Sequence, residues 1–408
     1  MRASDRMDGM DIEKLKARSE IIRLIRRWFD ERGFLEMHTP RLVGLPGQEP
    51  HLEPFWTTVV EQSAQCPVPS AQHNGLGTRH SALGTGHWAL GTPAALITSP
   101  EYMLKRLLAA GLDKIYDLGP CFRNNEPWDG SHDPEFLLLE WYRRDAGLED
   151  LMRDTEEMMR FVGAQFIAPN QRMGSSSHLG VMNHAPTLET TFRRLTVESA
   201  WREYAGIELA PLLGDRKAMA SVCREHNQTA NDDETWDDLY YKIFLSLVEP
   251  KICGDGCRVP SARCPVPGAQ CRVPSAKRYE LGTRHSALGT FLYRYPASQA
   301  ALARLSKDDP RWADRVEVYA GGLELANGYA ELADPVEQRK RFEEDRALRR
   351  SLEKETWDID EALLDALPKM GDAAGIAFGV DRFVMLLTGA KSINDVVPSS
   401  ARERFHAS

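Results

Sequence analysis

Apolar residues recur at helical spacing from Asp11 to Arg32, with Leu15, Ile22, Ile25 and Phe29 on one stripe and charges opposite. That period predicts an amphipathic helix, and Gly33 supplies its stop. A shorter helix is predicted at Glu101–Ala110, behind the start signal Ser99-Pro100. Cys121–Arg143 reads as strand, polar turn, strand. A mostly helical segment follows from about 148 to 252, interrupted by a loop at Ser175–His184. Phe291–Tyr295, Val316–Tyr319 and Leu323–Tyr329 read as strands, and Pro335–Thr356 as a long charged helix. Gly375–Thr388 reads as a strand that turns at Gly379 into a helix. Strands that follow one another without regular helical crossovers predict an α+β fold, an antiparallel sheet flanked by helices.

Two stretches break the periodicity, at about 63–92 and 253–290. Cys66–Thr85 recurs in expanded form at Cys264–Thr290, and both copies are rich in Pro, Gly, Ser and Ala. They read as low-complexity insertions in surface loops, which cannot bury enough apolar surface to fold alone. Lengthening a loop costs only about 0.6 kcal/mol per doubling. His73, His80, His87 and His285 belong to these repeats and are assigned no chemistry. Cys253, Cys257, Cys264 and Cys271 could be drawn as a zinc site, but their C-x3-C-x6-C-x6-C spacing lacks close knuckles. The duplication explains these cysteines better. With the insertions set aside, residues 1–408 read as one domain.

Composition narrows the function. The hydrophobic fraction of 42% suffices for a large core, and 51 basic against 60 acidic residues give a net charge of -9. Extended RNA-binding surfaces are usually basic, so the balance weighs against a nucleic-acid partner. The N-terminus mixes charges without an apolar run, and no stretch reaches the roughly 20 apolar residues that span a bilayer. A cytoplasmic protein without a membrane partner is expected. No P-loop and no GxGxxG follows a strand, so the common nucleotide-binding folds are not supported.

The chemistry concentrates in CFRNNEPWDGSHDPEFLLLEWYR (Cys121–Arg143) and GIAFGVDRFVML (Gly375–Leu386). Arg123 leaves a strand in the first, and Arg382 opens a helix in the second. A lone arginine at a strand end is an ordinary ion-pairing residue. Two in such surroundings suit a grip on phosphates from two sides, because the planar fork stays charged and meets two oxygens at once.

These segments resemble motifs 2 and 3 of the class II aminoacyl-tRNA synthetases, and GFLEMHTPRL (Gly33–Leu42) resembles motif 1, which in that family builds the dimer interface. The lysyl branch is nearer still. Ile97–Leu108, Glu135–Arg143, Tyr295–Ala303 and Gly322–Leu332 resemble its truncated paralogues that modify translation elongation factor P. The resemblance implies an ATP- and Mg²⁺-dependent ligase that activates lysine or (R)-β-lysine as an adenylate and passes it to a lysine of elongation factor P. It also implies a homodimer. The helix matched to motif 1 begins by Asp11, which leaves no room for the anticodon-binding barrel, so tRNA is not the expected acceptor. A tRNA-Lys-charging enzyme and a non-catalytic amino-acid-binding paralogue are the other readings.

Residue by residue, the resemblance places Arg123 at the α-phosphate and carboxylate, and Arg382 at the γ-phosphate. Asn124, Asn125, Glu126 and Asp133 would line the adenine side, with Glu324 and Leu325 also at ATP and Glu324 a Mg²⁺ ligand. Gly379 would let the backbone approach the nucleotide. Ser99, Pro100, Glu101, Tyr142 and Glu331 match substrate contacts, their carboxylates suited to a buried ammonium. Ala377 stands where ordinary lysyl-tRNA synthetases have Gly, and its methyl would favour a β-amino acid. One departure stands out: the motif 2 carboxylate falls one residue late, so Glu126 rather than Asn125 is expected to supply it.

Overall fold

The computed structural model describes residues 6–7, 10–60, 91–172, 192–252 and 289–405. The predicted loop Ser175–His184 lies outside them, as do the repeats and the cysteines weighed for zinc. The first long helix, α1 (Ile12–Glu31), is capped by the Asp11 side chain on the Lys14 amide, and Gly33 ends it at φ 74°. Its buried stripe is Ile21, Leu24, Ile25, Trp28 and Phe29. Leu15 and Ile22, expected on that stripe, lie half-buried on its shoulder. Ile25 and Phe29 fall on the buried face as expected, and Trp28, absent from the predicted stripe, packs edge-on to the Phe29 ring at 4.8 Å.

The strands in chain order are β1 (Leu35–Glu36), β2 (Leu42–Val43), β3 (Trp56–Val59), β4 (Thr92–Leu96), β5 (Lys114–Phe122), β6 (Glu135–Arg144), β7 (Arg193–Thr196), β8 (Thr290–Pro296), β9 (Trp312–Ala320), β10 (Leu323–Ala330) and β11 (Ala373–Gly379). Eight form the main sheet in the order β1-β5-β6-β11-β10-β9-β8-β7, while β2, β4 and β3 form a small one. The central pairings are antiparallel, as the sequence predicts; the edge pairs β1·β5 and β8·β7 are parallel. β7 interrupts the stretch predicted as helical. Thr92 and Thr290, counted within the insertions by sequence, are the first residues of β4 and β8.

Period-2 alternation divides the sheet into two unlike faces. One carries Tyr116, Leu118, Leu139, Trp141, Ile376, Phe378, Ala326 and Val318, buried against α1, α3 (Leu148–Arg172) and α8 (Val380–Thr388). Residues paired directly across the strands on the other face are Asp117, Glu140, Ala377, Asn327 and Glu317, one from each of five neighbouring strands. Helices cover that polar face at both ends. At one end α2 (Glu101–Ala109) and α7 (Glu361–Met370) pack Leu104, Leu108, Leu363 and Leu367 over Ile115 and Tyr142. At the other, α4 (Arg216–Glu225) and α5 (Trp236–Ile243) bring Met219, Leu239 and Tyr240 over Leu292 and Tyr295. Between them Ala377 and Asn327 are half-buried, while Asp117, Glu140 and Glu317 are buried. The charged helix α6 (Pro335–Ser351) stops short of the predicted Thr356, where Leu352 and Glu353 turn the chain away.

Candidate active site

The polar face under α2 brings together the residues expected to hold the amino acid. Ser99 Oγ donates to Glu140 Oε1 (2.6 Å) and accepts from the Glu101 amide (3.0 Å). Pro100 begins α2, its carbonyl taking the amides of Met103 and Leu104. Tyr142 donates to Glu140 Oε2 (3.2 Å), and its ring lies flat over Gly375, where a Cβ would come within 2.1 Å of it. Ala377 faces Glu140 directly across the strands. Glu101 and Glu331 meet, but around the chain's own Lys105, whose ammonium pairs with Glu101 at 2.6 Å and with Glu331 at 2.7 Å.

Lys105 corrects the picture of two carboxylates waiting empty for a substrate amine. Its burial opposes its charge, and the two glutamates more than offset this, so it stays a cation. The site nevertheless holds three buried carboxylates to one ammonium. Burial, then the charge of Glu101, pushes Glu140 up to about 8 against the hydrogen bonds from Ser99 and Tyr142. Burial raises Glu331 to about 8 as well, against the pull of Lys105. Glu140 and Lys105 escaped the sequence reading. The signals were present: a lone carboxylate in the apolar run Leu137–Tyr142, and a lysine one helical turn after Glu101.

The two arginines flank the other end. Arg123 follows β5, its guanidinium 5.0 Å above the Phe136 ring, with its Nε buried and without a hydrogen-bond partner among the described residues. A buried donor left unpaired is a place for an anion. Arg382 donates to the Glu324 carbonyl (2.9 Å) and to His132 Nε2 (3.0 Å). Because guanidinium only donates, His132 Nε2 accepts, which leaves Nδ1 protonated toward Asp129. Burial, then the Arg382 charge, holds the His132 imidazole below its usual range and hence neutral. The neighbouring Asp381 fixes Arg382's helix, accepting Arg18 Nη2 (2.9 Å) and the Leu137 amide (2.7 Å).

The predicted nucleotide-side residues fall into three groups. Glu126 is half-buried and its charge acts on His132, whereas Asn124 and Asn125 are exposed, Asn125 in a left-handed turn at φ 59°. Leu325 is buried, and Glu324 is half-buried beside Arg382. Gly379 has an ordinary φ of -76°, and a Cβ there would meet only van der Waals contacts at 3.6 Å or more. Neither turn geometry nor packing within the chain demands a glycine at that point. Asp133 is already engaged: it accepts the Ala401 amide (2.8 Å) and pairs with Arg404, so the short helix α9 (Ala401–Phe405) holds its carboxylate. Arg402 donates to the Trp128 carbonyl and Phe405 stacks on the Trp128 ring, which anchors the same loop.

No helix among the described residues is long and apolar enough to cross a membrane. The family profile described as tRNA synthetases class II (D, K and N) matches residues 4–401. The chain is 34% identical over 388 residues to the elongation factor P–(R)-β-lysine ligase of Haemophilus influenzae, covering 95% of this chain and 94% of that one. It is 32% identical over 397 residues to the ligase of the same name from Proteus mirabilis, covering 97% of each. With Arg123 after β5, Arg382 in the first turn of α8 and a family match over nearly the whole length, the chain belongs to the class II tRNA synthetases (D, K and N).

Proposed function

We propose that this protein activates lysine or (R)-β-lysine with ATP and transfers the acyl group to a lysine side chain of elongation factor P. The observation that carries the reading is the surplus of buried carboxylate around Lys105, closed on one side by Ala377. Such a pocket is made for a ligand with more ammonium than its neighbours can neutralise. The named function of the relatives supports the acceptor.

In this reading the substrate carboxylate attacks the α-phosphorus, a new O–P bond forms, and the bond to pyrophosphate breaks. Little proton transfer is needed, so positioning and charge neutralisation dominate. Arg123 draws the two anions together through its unpaired Nε edge. Arg382, braced by the Glu324 carbonyl and neutral His132, meets the far phosphate. Among the described residues no cluster of three His, Cys, Asp or Glu side chains could hold a metal unaided. Glu324 would hold Mg²⁺, which would supply charge neutralisation for the leaving group. In the second half, an acceptor amine attacks the acyl carbon, AMP leaves, and the amine sheds a proton.

A homodimer fits the outer side of α1, where Leu15 and Ile22 with Arg18, Ser19, Arg23 and Pro398 line an open groove. Cytoplasmic residence follows from the acceptor. The test is intact-mass spectrometry of elongation factor P incubated with enzyme, ATP, Mg²⁺ and (R)-β-lysine. One lysyl increment is expected, with negligible charging of tRNA-Lys. Efficient tRNA-Lys aminoacylation with the factor unmodified would replace this reading with the tRNA-charging one.

A further inference from the structure

The turn between β5 and β6 is charged against its expected ligand. Residues 124–135 are the ones placed beside a triphosphate, and they include Glu126, Asp129, Asp133 and Glu135 without a lysine or arginine. Carboxylates along a phosphate site repel the ligand, most strongly where solvent does not screen them. Asp129 is exposed and accepts the Ser131 amide and hydroxyl within the turn, each at 2.8 Å. Asp133 is the acute case, at 3% exposure. Its charge acts on the buried Asp381, the residue next to Arg382.

The cations that the turn lacks arrive from α9. Arg404 pairs with Asp133 and donates to Glu135 Oε2 at 3.4 Å, while Arg402 donates to the Trp128 carbonyl at 2.8 Å. Arg18 plays the matching part for Asp381 from α1. With both pairs formed, the buried carboxylates do not offset the charges of Arg123 and Arg382. Without Arg404, Asp133 would stand uncompensated beside them.

Arg404 is not what holds the turn in place. The Ile393 amide donates to the Gly130 carbonyl (2.7 Å) and the Ala401 amide to Asp133 Oδ2 (2.8 Å). Gly130 itself sits at φ 96°, so close to Ser392 that a Cβ would come within 2.9 Å of its hydroxyl. The Phe405 ring stacks on Trp128 with centroids 5.9 Å apart. These contacts remain when the guanidinium is removed, which separates its charge from its packing.

Resting on the ATP-dependent reading above, we propose that Arg404 is a positioning residue for the nucleotide: by cancelling the Asp133 charge it lets an acidic turn accept the triphosphate of ATP. It acts through Asp133, and the amino-acid pocket beneath α2 is untouched by it.

The test is Arg404→Ala in the full chain, with the dissociation constant of Mg-ATP read by titration calorimetry in the absence of amino acid and KM values read by pyrophosphate exchange. The dissociation constant should rise about tenfold, as for a buried charge that loses its partner, with KM for lysine or (R)-β-lysine unchanged. Arg404→Lys keeps the charge and should keep most of the affinity. Adding Asp133→Asn to Arg404→Ala should restore most of what was lost, a rescue that a merely structural ion pair would not give. Unchanged ATP affinity in Arg404→Ala, an equal loss with and without Asp133→Asn, or a parallel rise in KM for the amino acid would each overturn the assignment. Absence of exchange with either diamino acid in the unsubstituted chain would strike the proposed function instead, while the ATP affinities still decide the role of Arg404.

Discussion

Two buried charged clusters share the polar face of one sheet, and they are built on opposite terms. At one end Arg315 donates to Glu317 (2.5 Å), the Gln299 carbonyl (2.8 Å) and Asn327 (3.2 Å), and lies 4.6 Å over the Tyr295 ring. Glu317 also accepts the hydroxyls of Tyr295 and Tyr319, each at 2.7 Å. Cation and anion meet there, with two tyrosine hydroxyls donating to the anion and the Gln299 carbonyl and Asn327 accepting from the cation. At the other end Lys105 pairs with Glu101 and Glu331, Glu140 feels the Glu101 charge, and both Glu140 and Glu331 lie above their usual range. A closed network specifies a fold; an unbalanced one specifies a ligand. The contrast separates structure from function without any bound molecule.

The largest effect should come from the arginines that frame the unbalanced cluster. Arg123→Ala and Arg382→Ala are each expected to reduce lysine-dependent pyrophosphate exchange by roughly 10²-fold or more while thermal unfolding stays cooperative. Exchange at the unsubstituted rate in either variant would separate the cluster from ATP chemistry.

A matched pair of substitutions comes next. Glu317→Gln should destabilise the fold by about 2–4 kcal/mol, because Arg315 loses its buried counter-charge. Glu140→Gln should leave the melting temperature unchanged or raise it, while KM for the diamino acid rises about tenfold. Equal destabilisation by both, measured by calorimetric melting, would erase the distinction between the clusters.

Proton linkage gives a smaller signal with a definite sign. Glu140 and Glu331 titrate near 8 when folded and near 4.3 when unfolded, so the folded chain holds extra protons between these values. Their contribution to stability is complete below the unfolded value and is lost as pH rises through about 8. The free enzyme should therefore melt at lower temperature at pH 9 than at pH 6, and binding of a diamino acid at pH 7 should release protons. Titration calorimetry in buffers of different ionisation enthalpy reads that release; proton uptake would contradict it. The smallest effect is expected from excising residues 61–90 or 253–288 with a short Gly/Ser bridge, bounds that spare the strand residues Thr92 and Thr290. The melting temperature should shift by no more than about 2 °C, since surface connections tolerate length.

The strands and the long helices were legible in the sequence because their periods reflect burial on one side. Phe291–Tyr295 and Leu323–Tyr329 extend by a residue or two at most in the structure. The parallel edge strand Arg193–Thr196 was hidden in a helical stretch, for four residues carry too little period and their partner β8 lies far along the chain. Among the site residues, those in recognisable motifs were found and those defined by three-dimensional partners were not. Lys105 looked like one more helical charge until Glu331, brought in by a strand 226 positions later, met it. His132 gained meaning only from Arg382, and Arg404 from the Asp133 carboxylate it meets.

The row Asp117, Glu140, Ala377, Asn327 and Glu317 has an evolutionary consequence. Each member stands on the polar face only through the parity of its own strand, so a substitution at Glu140 or Ala377 can retune the pocket without moving its neighbours. A one-residue deletion within Glu135–Arg144 is a different matter, because it would turn the Glu140 carboxylate toward the apolar core and set Leu139 in the pocket. The lineage can therefore explore new substrates by replacement but hardly by insertion or loss inside these five strands. No such parity is read between Val59 and Thr92, which close a hairpin where the sequence reads as an insertion.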